Sequence, residues 1–424
     1  MKFFIQLPAT VLLIFLWPQW LHAQSLHQLI AASLESHPSI RAQQAQLQAS
    51  ESEITLAQQQ FLPTFSLSWE KAQSNSPMDS AYASGRPVAL ARLQQPLWTG
   101  GRLTASLDKA RAQNRLAMAQ LGEAQWQLSL RVVQAYGEWW AAQQKTQALN
   151  DSLAVHAELK RQISHRAQEG ASAQGEVTLS TARLEQTRAE LQNTRMQTAV
   201  ALAKLQQLSH QPLETQHLQS STTPPPAINT QAEDALYAQA VNHAPTLQRL
   251  QAQQAILSHE REEKEAARWP EVYVRAEHQS GSPYTTQPFS TNRMFVGLSA
   301  STGAGLSLIQ QMEILQQREK ALEADVAAAH LSLQEQISTD VQWLRTSQDR
   351  LASLAAHAQA NQAINEAYAR QFNAGRKTWI DVMNAARELT QAHLQLSDAQ
   401  ATALTSAWRL HIFTQGLAHL SHTP

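Results

Sequence analysis

The sequence carries one unit twice, and that duplication limits the fold more than any other feature. Pro38 and Pro63 stand 25 residues apart, as do Pro245 and Pro270, with the second pair displaced by 207. Around them Ser36-His37-Pro38-Ser39-Ile40 aligns with His243-Ala244-Pro245-Thr246-Leu247, and Leu62-Pro63-Thr64-Phe65 with Trp269-Pro270-Glu271-Val272. Further on the displacement settles at 205, placing Leu103, Leu107, Ala110, Leu121, Ala124 and Leu128 opposite Leu308, Met312, Leu315, Val326, Ala329 and Leu333. Gly170 and Val177 fall opposite Gly375 and Val382. The two copies, 24–220 and 221–424, join at the proline-rich stretch Ser220–Pro226, which cannot be helical.

Each copy reads as helix, strand, strand, long helix, turn, helix. The alternating four and three spacing of the apolar positions from Leu103 to Leu128 is a heptad seam, and the second copy keeps it. No proline interrupts Arg102 to Gln168, so a helix of 67 residues is predicted, ~100 Å long at ~1.5 Å per residue. The second long helix is predicted over about 306–373. Shorter helices over about 171–211 and 376–416 return from turns at Gly170 and Gly375. The helix from about Pro38 to Phe61, stacked end to end with the one after Gly170, matches the long helix in length. The result is an extended tube rather than a compact bundle. Only 13 glycines occur in 424 residues, which suits long helices and leaves no phosphate-cradling glycine loop.

The strand segments, about 62–71, 87–98, 269–278 and 292–301, alternate with period two. Val272, Val274 and Ala276 share one face, as do Met294, Val296, Leu298 and Ala300. Each is about ten residues long, the length a tilted strand needs to cross a bilayer. Trp69, Trp98, Trp269 and Tyr273 sit at or near their ends, where an interfacial belt would place them. Four strands cannot close a barrel in lipid, because about eight are needed and open edges would leave backbone groups unpaired in hydrocarbon. Membrane-bound strands therefore require association. The N-terminus reads as an export signal: Lys2, an apolar run from Leu7 to Trp20, and a cut expected after Ala23.

These features together resemble the TolC family of outer-membrane efflux and secretion channels. The resemblance covers nearly the whole mature chain and rests on the double repeat, Phe61-Leu62-Pro63 before a strand, Gln95-Pro96-Leu97-Trp98-Thr99-Gly100-Gly101 between strand and long helix, and Gly375 to Ala385 at the second turn. It implies a mainly α fold with transmembrane β structure. In a homotrimer the strands would close an outer-membrane barrel, continued through the periplasm by a helical one. It further implies passive conduction, with a periplasmic adaptor and an inner-membrane ABC or other pump as partners. Two aspartates after the second turn commonly ring the narrow tip. Asp381 matches the first, whereas Asn384 holds the second position, so one carboxylate ring in place of two should weaken cation preference. Crowding of three such carboxylates would raise their pKa values. Gly170, Gly375, Arg376 and Lys377 would form the tips that meet the adaptor. Trp379 to Glu388 resembles the outer-membrane components of type I systems that export adhesins, which makes protein secretion the expected role and small-molecule or drug efflux the alternative.

The remaining composition excludes other classes. With 33 basic and 34 acidic residues, nucleic acid is not an expected partner. The absence of cysteine removes thiolate catalysis, cysteine-bound metal and a lipid-anchored N-terminus. No catalytic motif appears and no cofactor is expected. The 16 histidines lack metal-binding spacing and read as scattered surface residues. Tyr136 and Trp139, opposite Val341 and Leu344, are expected to pack between helices. A soluble periplasmic coiled-coil scaffold is the competing class.

Overall fold

The computed structural model describes residues 25–71, 87–215, 218, 226–282, 287–300 and 307–417. The expected export signal, most of the Ser220–Pro226 linker and the segment between the first two strands lie outside them. The elements in order are α1 (Leu26–Ser36), α2 (Pro38–Gln59), β1 (Thr64–Lys71), β2 (Pro87–Trp98), α3 (Arg102–Gln168), α4 (Gln174–Ser209), α5 (Glu233–His243), α6 (Pro245–Ala266), β3 (Glu271–Ser280), β4 (Ser290–Ser299), α7 (Ser307–Asn373) and α8 (Trp379–Gln415).

The short helices α1 and α5 were not anticipated from the apolar pattern. Each is cut from its successor at the residue before a proline, His37 and Ala244, which adopts an extended backbone. Proline disfavours helical geometry in the preceding residue and suits the first helical position, so one proline both ends α1 and starts α2. The same device separates α5 from α6.

The four strands form one antiparallel sheet in the order β1-β2-β3-β4. The helices follow the same lateral order. α3 packs against α2 and α4 on one side and against α6 and α8 on the other, and α7 packs against α6 and α8. In each half a 67-residue helix runs beside two shorter ones stacked end to end, of 22 and 36 residues in the first half and 22 and 37 in the second. At the first junction Ser36 Oγ donates to the Ser209 carbonyl at 2.9 Å, joining the end of α1 to the end of α4. At the second, Gly416 lies against the His243 ring.

The main core lies at the level of these junctions. It gathers Leu29 and Ile30 of α1, Tyr136 and Trp139 of α3, Val341 and Leu344 of α7, and Trp408 and Phe413 of α8. Tyr136 and Trp139 therefore pack between helices, with ring centroids 5.7 Å apart. Gly137 sits between them, and a methyl group there would overlap Thr405 of α8, so this crossing requires glycine. In the same layer Arg409 Nε donates to Asp340 at 2.9 Å and ties α8 to α7. Burial raises the Asp340 pKa and the Arg409 charge opposes that rise.

Candidate channel lining and periplasmic tip

The register sorts strand residues onto two faces. One carries Phe65, Leu67 and Trp69 of β1, Leu93 of β2, Val272, Val274 and Ala276 of β3, and Met294, Val296 and Leu298 of β4. Met294 and Val296 are both 79% exposed, a placement that water would not favour and lipid would. The opposite face is polar: Ser66, Arg92, Glu277 and Arg293 lie in one row across all four strands, with Thr64, Gln94, Arg275 and Phe295 in the next. Arg92 Nε donates to Glu277 Oε1 at 2.8 Å, and Arg275 approaches the same oxygen at 3.0 Å. Trp98 and Trp269 meet edge to face, 6.4 Å apart, at the end of the sheet nearest the helices, while Trp69 lies near the other end. Ten residues at ~3.3 Å each, tilted by ~40°, span ~25 Å, which is the apolar height of an outer-membrane barrel.

The two helix turns at the far end are built alike. Gly170 and Gly375 hold φ of 78° and 72°, the left-handed geometry that closes a helix C-terminus. The Ala171 N–H donates to the Arg166 carbonyl at 2.8 Å, and the Arg376 N–H to that of Gln371 at 2.9 Å. Nothing lies within 4 Å of a methyl group built on either glycine, so both tips are open to a partner. The tips are held together by Leu159, Ile163, Phe372, Trp379, Val382 and Met383 and by the Arg166 guanidinium, 4.5 Å from the Phe372 ring centre. Lys377 lies 4.3 Å over the Tyr368 ring, and Arg376 is exposed.

Asp381 is engaged in its own helix. Its Oδ2 accepts from the Thr378 N–H at 3.1 Å and hydroxyl at 2.8 Å, while the Asp381 N–H donates to Thr378 Oγ1 at 3.3 Å, a reciprocal cap on α8. These bonds from Thr378 lower the Asp381 pKa within one chain. Asn384, one turn on, lines a cavity of about 190 Å³ between α8 and the α3–α4 hairpin together with His156, Arg183, Thr187, Glu190 and Arg387. The structure therefore places Asp381 and Asn384 on successive turns of α8, beside Gly375, Arg376 and Lys377, with Gly170 on the neighbouring turn.

Two sets of residues escaped the sequence reading. The arginines of the polar sheet face occupy positions between the apolar ones, a signal that becomes legible only once the strand register is known. His156, read as one of many surface histidines, is 4% exposed, with Nδ1 2.9 Å from Thr187 Oγ1. Its heptad-like position in α3 was the available clue. Among the described residues no group of three or more His, Asp or Glu could hold a metal ion, and no helix is long and apolar enough to cross a membrane.

Residues 29–209 match the family model described as outer membrane efflux protein, and the second half of the chain repeats the architecture of the first. The first half of the chain is thus similar to outer membrane efflux proteins, and the whole chain is similar in fold to solved TolC-family channels. The fold agrees with solved channels. VceC from Vibrio cholerae is 17% identical, with a TM-score of 0.75 over 92% of this chain and 96% of VceC. CmeC from Campylobacter jejuni is 13% identical, with a TM-score of 0.76 over 94% and 87%. The open-state channel MtrE from Neisseria gonorrhoeae is 14% identical, with a TM-score of 0.74 over 94% and 91%. No curated protein matches the chain. TolC-family proteins are outer-membrane channels that extend into the periplasm, and they are not enzymes. They are trimeric and work with adaptors and inner-membrane pumps.

Proposed function

We propose that this chain is a TolC-family channel, three copies of which close head to tail into one conduit that exports protein from an inner-membrane pump and its adaptor to the exterior. One observation carries the assembly: sheet and helical wall have matching free edges, β1 with α2 and α4 on one side, β4 with α7 on the other. Each edge needs what the opposite edge of the next copy offers, and a heterologous contact of that kind forms a ring when its rotation closes. Trp343, 55% exposed, and Leu331 and Ile364 on α7 would meet Leu56, Leu179 and Met196 on α2 and α4 of the next copy. Three copies of Asp381 would ring the tip, with Asn384 one turn behind. Gly170, Gly375, Arg376 and Lys377 would receive the adaptor.

The secretion assignment is supported by the likeness of Trp379 to Glu388 to adhesin-exporting components. Small-molecule efflux is the second reading, favoured by the family description of the first half. Deletion of the gene should remove a protein from the culture medium without altering drug tolerance. Unchanged secretion with new sensitivity to drugs or metals would reverse the assignment. Particles extracted by detergent should be tapered and well over ~100 Å long; release without detergent would support the soluble scaffold instead.

A further inference from the structure

We infer that the lumen of the barrel carries an electropositive belt that engages carboxylate-rich polypeptide segments on their way out, a reading that rests on the trimeric channel proposed above. The belt occupies two adjacent rows of the polar sheet face. Arg92, Arg275 and Arg293 contribute three guanidiniums per chain, against the single carboxylate of Glu277. That carboxylate is committed twice, to Arg92 at 2.8 Å and Arg275 at 3.0 Å. Arg293 stands directly across from Glu277 in the register, yet among the described residues it forms no ion pair with a carboxylate. Arg275 is further fixed by the Phe295 ring, 4.7 Å below its guanidinium carbon.

The positive charge is therefore not neutralised within the belt. The other acidic residues of this face are removed from it: Glu271 is bound by Arg102 at 2.6 Å where the strands meet the helices, and Glu70 lies near the opposite strand end. In a closed trimer the three copies would face one another across a water-filled lumen, where like charges in a low-dielectric wall reinforce one another's field. Guanidinium pairs with carboxylate bidentately, and several weak exchangeable contacts around a ring attract a passing chain without trapping it. Asp381 at the other end of the tunnel has the opposite sign, so the two ends would differ in what they favour.

The test uses the detergent-extracted full-length protein inserted from one side into a planar lipid bilayer. Polyglutamate added on the barrel side should reduce the current at concentrations at which polylysine does not, and the block should weaken as salt rises, since screening shortens the reach of the belt. Arg293→Gln should raise the half-blocking concentration several-fold, Arg293→Glu should abolish the block, and Arg293→Lys should retain it. Discrete conductance with no polyglutamate block, an equal block by polylysine, or a block untouched by Arg293→Gln would each overturn the belt. Absence of any discrete conductance from the wild-type protein would overturn the channel on which it rests.

Discussion

His156 shows how a single buried ring can tie this structure to pH. Burial lowers its pKa, the Arg183 charge lowers it further, and Glu190 opposes both. A histidine whose folded-state pKa is depressed contributes stability that is complete above its unfolded value of ~6.5 and is lost as pH falls through the folded value. Acidification from pH 7.5 to 5 should therefore lower the apparent melting temperature by loosening α4 from α3. His156→Gln, which can keep a bond to Thr187, should flatten that dependence, and thermal unfolding at the two pH values checks it. An equal slope in the variant would place the titrating group elsewhere. For Asp381 the Thr378 cap lowers the pKa within one chain, against the rise that crowding in a trimeric ring would bring.

At the scale of the elements, the α3–α8 crossing depends on Gly137. Gly137→Ala should destabilise by about 1–3 kcal/mol through overlap with Thr405. Thr405→Ala should recover part of that loss in the double variant, because it removes the methyl group that collides. A denaturation cycle over the four proteins measures the coupling, and strict additivity would contradict the contact. The long helices were legible because a heptad seam without proline leaves no other regular structure, and the strands because period two and terminal tryptophans coincide. What remained hidden is tertiary. Helices α1 and α5 are too short for a periodic signal, and the helix after Gly170 starts at Gln174 rather than 171 because the turn consumes residues. Asp381, Gly170 and Gly375 stood out by position, yet the Thr378 cap on Asp381 and the cavity beside Asn384 arise from geometry that no spacing encodes.

On the scale of the whole molecule, the exposed apolar sheet face suits lipid, and the two free edges suit the assembly proposed above. Val296→Lys places a charge on that face, at a cost of roughly 2–4 kcal/mol near the bilayer midplane. It should reduce the amount of assembled protein recovered from outer membranes, as read on a non-denaturing gel. The same substitution at Arg293 falls on the polar face, which would line the lumen of the proposed trimer, and should leave assembly intact. Equal recovery of the two variants would show that the faces have been assigned the wrong way round.

The matching free edges also determine how this protein would fail genetically. A ring built from identical copies with complementary edges has no spare position: one copy that cannot offer β4 would leave β1 of its neighbour uncovered and the barrel open in hydrocarbon. In a cell making equal amounts of sound and edge-defective chains, random mixing would leave only about one trimer in eight wholly sound. A lesion in β4 would thus act as a dominant poison, whereas loss of the gene would be recessive.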